Sequence, residues 1–402
     1  MTVGNAWAWP SRSVPSDQTS GAMLDTLRRL SLQARDLSEY GHPLELGDLL
    51  ETLAKNSALE TVSALGLDER MPSLAVLNIL SPLEAALFEA YGKMYGKNVF
   101  HLLGKDWVNE DLSRTLGRDF AGEYLDRYVL AQPKKTLPLY HLVGGLDPLT
   151  LNEANALKAE GKAPNDGRPF ALVDWIAAEG VSRFKIKLAG NDALADLDRT
   201  LAVYRTVSDA FAKIENDDFR FSADFNEKCQ DEKYLLDWLA AMKEKVPEMI
   251  ERLEYVEQPT GRDLNATKIT MFEAAKKIPV VVDEALDSVQ AYRKARTLGY
   301  SGAALKACKG LRESLRVAAA AQKDGAFLCV QDLTCPGKSF LQSAALAARI
   351  PSVAAVEGNA RQYCPAANEP CAKEYPGLFH ITTGTVETGV LNGMGLGYDM
   401  VK

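Results

Sequence analysis

The chain has 402 residues, of which 47% are hydrophobic and 25% charged, with a formal net charge of −8. This is an ordinary globular composition, with enough apolar material for a large core. An acidic surface argues against nucleic acid or an anionic membrane as the main partner, although a local cluster of lysines could still bind an anionic substrate. No uninterrupted apolar run approaches the roughly 18 residues needed to cross a bilayer.

The first hundred residues have a helical pattern. Apolar residues recur at helical spacing from about residue 19 to 104, and Ser81-Pro82 followed by Glu84 is typical of a helix start. Residues 105–136 are charged and mixed without a clear period, and we interpret them as a connecting insertion. We expect the glycine-rich last 30 residues to leave the main domain and pack on the N-terminal helices.

From Leu137 onward, strand-like runs alternate with helical runs. This alternation predicts parallel strands joined by right-handed helical crossovers. Eight strands fit a closed barrel best, and an open doubly wound sheet is the alternative. The predicted strands are Leu137–Val143, Arg183–Leu188, Phe219–Asp224, Arg252–Glu257, Pro279–Asp283, Gly302–Cys308, Ala326–Gln331 and Val353–Glu357. The predicted helices include Leu194–Lys213, Glu232–Lys245, Ala266–Lys277 and Arg312–Lys323.

Six cysteines are scattered along the chain without a Cys-x-x-Cys pair. The first residues lack the basic stretch and apolar run of a secretory signal. This pattern is typical of a reducing compartment, so we expect free thiols and a cytoplasmic protein.

Three consecutive predicted strands end in a carboxylate, at Asp224, Glu257 and Asp283. Because active sites of such barrels lie at the carboxyl ends of the strands, these acids are expected to converge. Three close carboxylates repel one another, and a hard divalent cation removes that penalty. All-oxygen ligation favours Mg²⁺ or Mn²⁺ over zinc. One such acid alone would be interpreted as a loop carboxylate or a helix cap, but three in register predict a metal site.

Lysines flank this series on both sides. Lys185 and Lys187 are two apart on one predicted strand and share a face, while the alternate residues are apolar. The apolar face suits packing against helices, so the lysines are expected inside the barrel, where an unpaired ammonium is costly to bury. Lys306 is the single charge of a small apolar run, a pattern also found on edge strands. Lys309 has the opposite strand parity, and we interpret it as a loop or helix-start charge.

The order of these motifs, Lys-x-Lys, Asp-x-Asn, Glu-Gln-Pro, Asp-Glu and Lys-x-x-x-Gly, resembles the enolase superfamily, specifically its muconate-lactonizing-enzyme-like branch. The segment from Leu83 to Gly104 also resembles the end of that family's capping domain. The resemblance runs from about residue 75 to the C-terminus, except for 105–136. It implies an α/β fold, a modified TIM barrel or (β/α)-barrel with a mostly helical N-terminal capping domain, and one essential Mg²⁺, for which Mn²⁺ could substitute.

The resemblance also implies a domain organisation. We expect a partial capping domain at 1–104 joined by a C-terminal return at 372–402, a connector at 105–136 and a catalytic barrel at 137–371. Members of the family open with a β-meander, part of which covers the site. Residues 4–10 look like its final strand, so we expect the chain to lack that meander and another segment, such as 105–136, to replace it.

Carried over residue by residue, the resemblance makes Asp224, Glu257 and Asp283 the metal ligands. It makes Lys187 and Lys306 an acid/base pair on opposite faces of a small carboxylate substrate. Neighbouring cations would lower the pKa of the lysine that acts as base. The likeness further implies a homo-oligomer, while the net acidic charge and the lack of a spanning apolar run predict neither nucleic acid nor membrane as a partner.

Lys185 would be the electrostatic partner of the substrate carboxylate, and Asn226 and Glu284 would orient ligands and lysines from behind. Removal of the α-proton would give an enediolate, stabilised by Mg²⁺ and Lys185. Return of a proton to the same carbon is racemisation or epimerisation. Loss of a leaving group would instead make the enzyme a lyase such as a dehydratase, or a cycloisomerase. A catalytically silent metal-binding barrel is the third alternative.

Three further residues are candidates for substrate binding. The mandelate-racemase-like branch uses a histidine on the seventh strand, and this chain has none there. His141 lies on the first predicted strand and could line the pocket, although a satisfied core or rim histidine is the favoured interpretation. Asp332 and Glu357 follow the seventh and eighth strands and could meet a cationic substrate group or serve as loop caps.

Overall fold

The structure is a computed structural model that describes residues 5–164 and 166–399, without the side chains of residues 5 and 6. Eight parallel strands of this part of the chain form a barrel, and a short ninth strand pairs antiparallel with the first. The strands are β1 (Leu137–Val143), β2 (Arg183–Lys187), β3 (Arg220–Asp224), β4 (Leu253–Glu257), β5 (Val280–Val282), β6 (Gly302–Leu305), β7 (Phe327–Val330), β8 (Val356–Glu357) and β9 (Thr385–Val386).

Helices form the N-terminal layer and the outer ring of the barrel. They are α1 (Asn5–Ala8), α2 (Ser16–Arg35), α3 (Pro43–Ala64), α4 (Ser73–Met94), α5 (Ser113–Leu116), α6 (Leu151–Ala159), α7 (Leu172–Glu179), α8 (Ala193–Ala212), α9 (Glu232–Lys245), α10 (Pro247–Arg252), α11 (Phe272–Ala275), α12 (Val289–Thr297), α13 (Leu311–Lys323), α14 (Lys338–Arg349), α15 (Ala360–Tyr363), α16 (Glu369–Glu374) and α17 (Pro376–Phe379).

The sheet closes on itself, because β1 pairs in parallel with both β2 and β8. The closed barrel is therefore confirmed, and the open doubly wound alternative is excluded. The predicted first strand has the observed bounds to the residue. Strand β6, however, ends three residues before the predicted Cys308, because Ala307–Lys309 form a 3₁₀ turn.

The register of the strands sets the height of the side chains at the barrel mouth. Lys187 on β2 lies beside Asp224 on β3, and Asp224 lies beside Glu257 on β4. Val281 pairs with Glu257, so Asp283 lies two residues higher and has the same side-chain parity. Below this level, apolar and aromatic side chains fill the interior, which makes the barrel a packed core: Tyr140, Tyr255, Val281, Ala304, Cys329 and Ala355.

Helices α2, α3 and α4 pack together and form a second core, which includes Trp9 and Leu80. Helix α4 starts eight residues before the predicted start at Ser81 and contains Pro82 in its interior. Ser81 Oγ instead donates to the carbonyl of Ala307, at 3.1 Å, beside the end of β6. By length and composition α4 could cross a membrane, but 61% of its most apolar window is buried inside the protein.

An ion-pair network joins this helical layer to the barrel. Arg312, at the start of α13, bonds Glu84 on α4 at 3.0 Å and Asp48 and Glu51 on α3 at 2.6 and 2.5 Å. Arg312 and Glu84 are both buried. Gly310 has φ +108°, and a Cβ there would lie 2.8 Å from Glu84 Oε2. Glycine is thus required where the turn after Lys306 meets α4.

Residues 105–136 run along the outer helices of the barrel. The backbone N–H of Leu130 donates to Arg349 O at 2.7 Å, and that of Lys134 donates to Ala348 O at 3.0 Å, both at the end of α14. Gln322 Nε2, near the end of α13, donates to Tyr128 O at 2.9 Å. The segment therefore leads from the helical layer to the start of β1, as expected of a connector. The full domain division stays a prediction.

His42 caps helix α3 in a form that requires a neutral ring. Its Nδ1 accepts the N–H of Leu44 at 3.1 Å, and its Nε2 lies 2.9 Å from the carbonyl of Leu102. A proton on Nδ1 would face another donor. Burial lowers the pKa of His42 from 6.5 to about 4.

We predict that this cap makes the fold acid-sensitive. Between pH 6.5 and 4 the unfolded chain binds a proton at His42 that the folded chain does not, which lowers the free energy of unfolding by up to about 3 kcal/mol. In His42→Asn, the amide oxygen can still accept the Leu44 N–H without titrating. Thermal midpoints at pH 7.5 and 5.0 should differ less for the variant than for the wild type, and equal differences would contradict the prediction.

Candidate active site

A cavity of about 340 Å³ opens at the carboxyl ends of the barrel strands. Four lysines and four acids share it with apolar side chains from the N-terminal layer and the loops. The residues that line it are Trp7, Leu74, Leu142, Lys185, Lys187, Asp283, Glu284, Lys306, Lys309, Asp332, Leu333, Thr334, Glu357, Asn359 and Tyr363.

Three carboxylates meet at this mouth. One oxygen each from Glu257, Asp283 and Glu284 lies within 4.8 Å of the other two. Glu284 Oε2 is buried without a hydrogen-bond partner, and burial, with repulsion from Asp283 and Asp224, raises the pKa of Glu284 to about 7. Burial and the same neighbouring acids raise the pKa of Glu257 well above its ordinary value. Crowded carboxylate oxygens with an unpaired member are the donor set that fits a hard divalent cation.

Asp224 lies at the edge of this group. Its Oδ2 contacts the ammonium of Lys187 and lies 3.4 Å from that of Lys185. Burial alone would raise the pKa of Asp224, but these two lysines outweigh it and hold the pKa well below its ordinary value. Asp224 stays a predicted ligand, while Glu284, predicted to lie behind the ligands, belongs to the group of converging oxygens.

Asp283 is held by two lysines. Lys306 Nζ lies 2.6 Å from Asp283 Oδ2, and Lys309 Nζ lies 3.1 Å from Asp283 Oδ1 and 3.1 Å from Leu286 O. Lys309 lies in a turn just before α13, as the interpretation of a loop or helix-start charge has it, but that interpretation did not include its burial or its place in the cavity wall. The 3₁₀ turn after β6 has three residues per turn, which brings residues three apart to the same side. The spacing Lys-x-x-Lys could have indicated that both lysines face the cavity. It did not, because residues three apart point to opposite faces if the segment is taken as a strand.

Lys306 does not have the lowered pKa expected of a base. Burial would lower the pKa of Lys306, but the carboxylate of Asp283 outweighs it and raises that pKa above its ordinary value. In the same way Glu257, Glu357 and Asp224 raise the pKa of Lys185. The expectation of a lowered lysine pKa did not include these ion pairs, each of which favours the charged form of the lysine.

Lys185 is enclosed by acids. Its Nζ lies 2.7 Å from Glu257, 3.2 Å from Glu357 and 3.4 Å from Asp224, and its side chain is almost fully buried. The ammonium donates hydrogen bonds to Glu257 and Glu357 and forms an ion pair with Asp224, so these acids hold it within the protein. Lys185 thus neutralises the floor of the cavity, and its role toward a substrate carboxylate stays a prediction.

Asn226 is placed to orient Lys187. Its Oδ1 accepts from Lys187 Nζ at 3.0 Å, and its N–H donates to Asp224 Oδ1 at 2.8 Å. Gln258, which sequence reasoning missed, has a similar position beside Asp283. Its Oε1 accepts the N–H groups of Asp283 and Ala285, at 2.9 and 3.2 Å, and so fixes the backbone that carries the acid. The Glu-Gln-Pro motif, whose middle residue is Gln258, was the sequence feature that could have indicated this role.

The other predicted substrate residues are differently placed. His141 lies on the outward face of β1, stacked near Trp175 and 2.7 Å from Arg361, and is not among the described lining residues. Its outward parity, opposite to the inward Tyr140, makes the core interpretation the better one. Asp332 and Glu357 do line the cavity. Both are already hydrogen-bonded within the protein, Asp332 to backbone N–H groups as expected of a loop cap.

The segment that reaches over the mouth comes from the N-terminus. Trp7, in α1, lines the cavity. The prediction of a strand at residues 4–10 was wrong for 5–8, which are helical, and residue 4 lies outside the described residues. Among the described lining residues none belongs to 105–136, so that connector does not cover the site.

A closed parallel barrel with acids and lysines at the carboxyl ends of its strands defines a class of (β/α)-barrel proteins whose candidate active site lies at that end. Residues 171–402 match the sequence model of the enolase C-terminal domain-like family. The chain belongs to this family, which confirms the resemblance to the enolase superfamily and its mandelate racemase/muconate lactonizing enzyme branch. A comparison with curated protein sequences gave no match.

Solved structures share the fold. A mandelate racemase/muconate lactonizing protein from Herpetosiphon aurantiacus is 20% identical over 98% of this chain and 87% of that chain, with a TM-score of 0.57. A 2-chloromuconate cycloisomerase from Rhodococcus opacus 1CP is 16% identical over 99% and 85%, with a TM-score of 0.56. A muconate cycloisomerase from Pseudomonas fluorescens is 19% identical over 86% and 77%, with a TM-score of 0.52.

We predict that Mg²⁺ stabilises the folded chain through this carboxylate group. At 100 times its dissociation constant, a ligand that binds one folded-state site adds about 2.7 kcal/mol to the free energy of unfolding. Thermal midpoints should rise with MgCl₂ but not with NaCl of equal ionic strength. The rise should be lost in Asp283→Asn and Glu284→Gln and kept in Glu273→Gln, an exposed acid on α11. An equal rise in all variants would contradict the assignment.

Proposed function

We propose that the protein is a Mg²⁺-dependent racemase or epimerase that removes the α-proton of a small carboxylate and returns a proton to the same carbon. One observation supports this most strongly. Lys187 and Lys306 line the same cavity from the ends of β2 and β6. These strands lie four apart in the eight-stranded barrel, and so on opposite sides of it. Two amines facing each other across a bound acid can serve both faces of one carbon.

The residues around the lysines suit this chemistry. Lys187 is held by Asn226 and Asp224, and Lys306 by Asp283, so each ammonium has a fixed direction toward the cavity. Bound by the neighbouring carboxylates, Mg²⁺ would neutralise them, loosen their hold on the lysines and stabilise negative charge on the substrate carboxylate. The lysine that acts as the base must first lose its own ammonium proton to solvent. As a neutral amine it accepts the α-proton, while the other lysine, still an ammonium, donates a proton from the opposite face.

The same proton removal could lead to loss of a leaving group or to ring closure. The names of two structural neighbours, muconate cycloisomerase and 2-chloromuconate cycloisomerase, make ring closure the specific alternative. Since the likeness to those proteins concerns the fold, the stereochemical outcome must be measured.

We predict that each lysine serves one enantiomer. In ²H₂O with Mg²⁺, the wild type should exchange the α-proton of a substrate acid and invert its configuration. Lys306→Ala should abolish exchange from one enantiomer, and Lys187→Ala from the other, each by at least about 100-fold, because general acid–base catalysis contributes 10²–10⁴-fold. NMR of the α-position, with chiral chromatography of the product, measures both.

Lys294→Ala, on α12 and not among the described residues that line the cavity, is the matched control that removes a lysine outside the site and should leave exchange unchanged. Loss of water or formation of a ring would favour the lyase or cycloisomerase. Full activity in Lys306→Ala would reject the assignment of the two bases.

A further inference from the structure

The N-terminal segment is anchored beside the cavity by one acid. Glu69, which lies between α3 and α4, accepts hydrogen bonds from Trp9 Nε1 at 3.1 Å, from Ser11 Oγ at 2.5 Å and from Ser13 Oγ at 2.9 Å. The indole of Trp9 is buried in the core of the helical layer. The segment that follows α1 therefore has a defined position, with Trp9 as its apolar anchor.

A second contact ties this segment to the barrel. Arg262, after β4, donates from Nη1 to the carbonyl of Trp7 at 3.5 Å. The guanidinium is itself fixed by Glu227, with Nε and Nη2 at 2.8 and 2.6 Å from the two carboxylate oxygens. Such bidentate pairs have a fixed geometry. Glu227 directly follows Asn226, so the segment is connected to the loop that orients Lys187.

The indole of Trp7 faces the reacting groups. It lines the cavity, and the Lys187 ammonium lies 5.6 Å from the centre of its ring, within the range of a cation–π contact. Trp7 is nevertheless 48% exposed, unlike the buried Trp9. A large aromatic surface that is held in place beside a cavity and still exposed gains stability when an apolar ligand covers it.

The other walls complement an apolar group. Leu74, Leu142 and Leu333 contribute aliphatic surface to the cavity. The acids that could attract a substrate ammonium are engaged. Asp332 accepts the N–H groups of Cys335 and Asn359, at 2.5 and 2.6 Å.

Glu357 is engaged in the same way. It binds Asn359 Nδ2 at 2.5 Å and Lys185 Nζ at 3.2 Å. Of the described lining acids, Glu284 has a free buried oxygen, and it belongs to the carboxylate group assigned to the metal. The cavity thus offers the partly exposed ammonium of Lys187 for a carboxylate, a neutral acceptor in Asn359 Oδ1 and apolar walls for the remainder of the molecule.

We propose that Trp7 contacts the substrate and selects carboxylic acids that carry a planar apolar group, such as an aromatic ring, over acids that carry an ammonium group. The proposal rests on the proposed function for the carboxylate end of the substrate. It adds that the part of the substrate away from the reacting carbon lies against the indole.

Three probes of equal carboxylate charge test this: phenylacetate, propionate and β-alanine, titrated by NMR in the presence of Mg²⁺. The wild type should bind phenylacetate most tightly. Trp7→Ala should weaken phenylacetate roughly 10- to 100-fold, the loss expected for uncovering one aromatic contact, and should change propionate less than about threefold. Trp7→Phe should keep most of the preference, since it retains an aromatic face.

Trp107→Ala is the matched control, because it also removes an indole, one that stacks on Tyr95 and does not line the cavity. It should leave all three affinities unchanged, and thermal midpoints should show that the variants remain folded. Equal weakening of the three acids in Trp7→Ala, tighter binding of β-alanine than of phenylacetate, or no binding of phenylacetate to the wild type would overturn the proposal. Preference for phenylacetate without α-proton exchange on any acid would refute the proposed function and leave the role of Trp7 standing.

Discussion

The balance of charge at the barrel mouth is the constraint on which the rest of the structure depends. Asp224, Glu257 and Asp283 are at most 1% exposed, and buried carboxylates remain charged only when cations compensate them. Lysines from β2 and from the end of β6 supply that compensation: Lys185 and Lys187 on β2, and Lys306 directly after β6. An apolar substitution for one member would leave a partner uncompensated, so the acids and lysines have to be considered as one unit. The barrel provides the rigid frame that keeps these like and unlike charges at fixed separations.

Much of this arrangement could be predicted from the sequence, because strand period and repeat length fix which residues reach the mouth. The closed barrel followed from the alternation of elements, and Asp224 and Glu257 pair as neighbours in the observed register. The predictions that failed depended on local backbone geometry, which the periodicity of apolar residues does not reveal. Lys309 comes into place through a 3₁₀ turn, and α4 continues through Pro82 although Ser81-Pro82 is typical of a helix start.

The N-terminal layer shows the same limit. Trp7 and Trp9 are separated by one residue, yet one lines the cavity and the other belongs to the core. Their different positions follow from contacts to Glu69 and Arg262, which are distant in sequence. Family resemblance did not supply this information either, because it predicted a strand where the structure has a helix. Hydrogen bonds to residues distant in sequence determine the position of such segments, and these partners cannot be identified from a single sequence.

The contact between α4 and the turn after β6 has a consequence for how this architecture can diversify. Ser81 and Glu84 on α4 touch the turn and the helix that directly follow Lys306. The helical layer is therefore part of the scaffold that aims an amine at the mouth, in addition to forming a cover. If the helical layer were exchanged between related barrels to obtain new specificities, the contacts that position Lys306 would change as well. Residues 306–314 would have to be exchanged together with the layer to keep those contacts. Diversification is easier at Trp7, whose side chain is half exposed and, among the described residues, makes no hydrogen bond to the turn after β6 that α4 reaches.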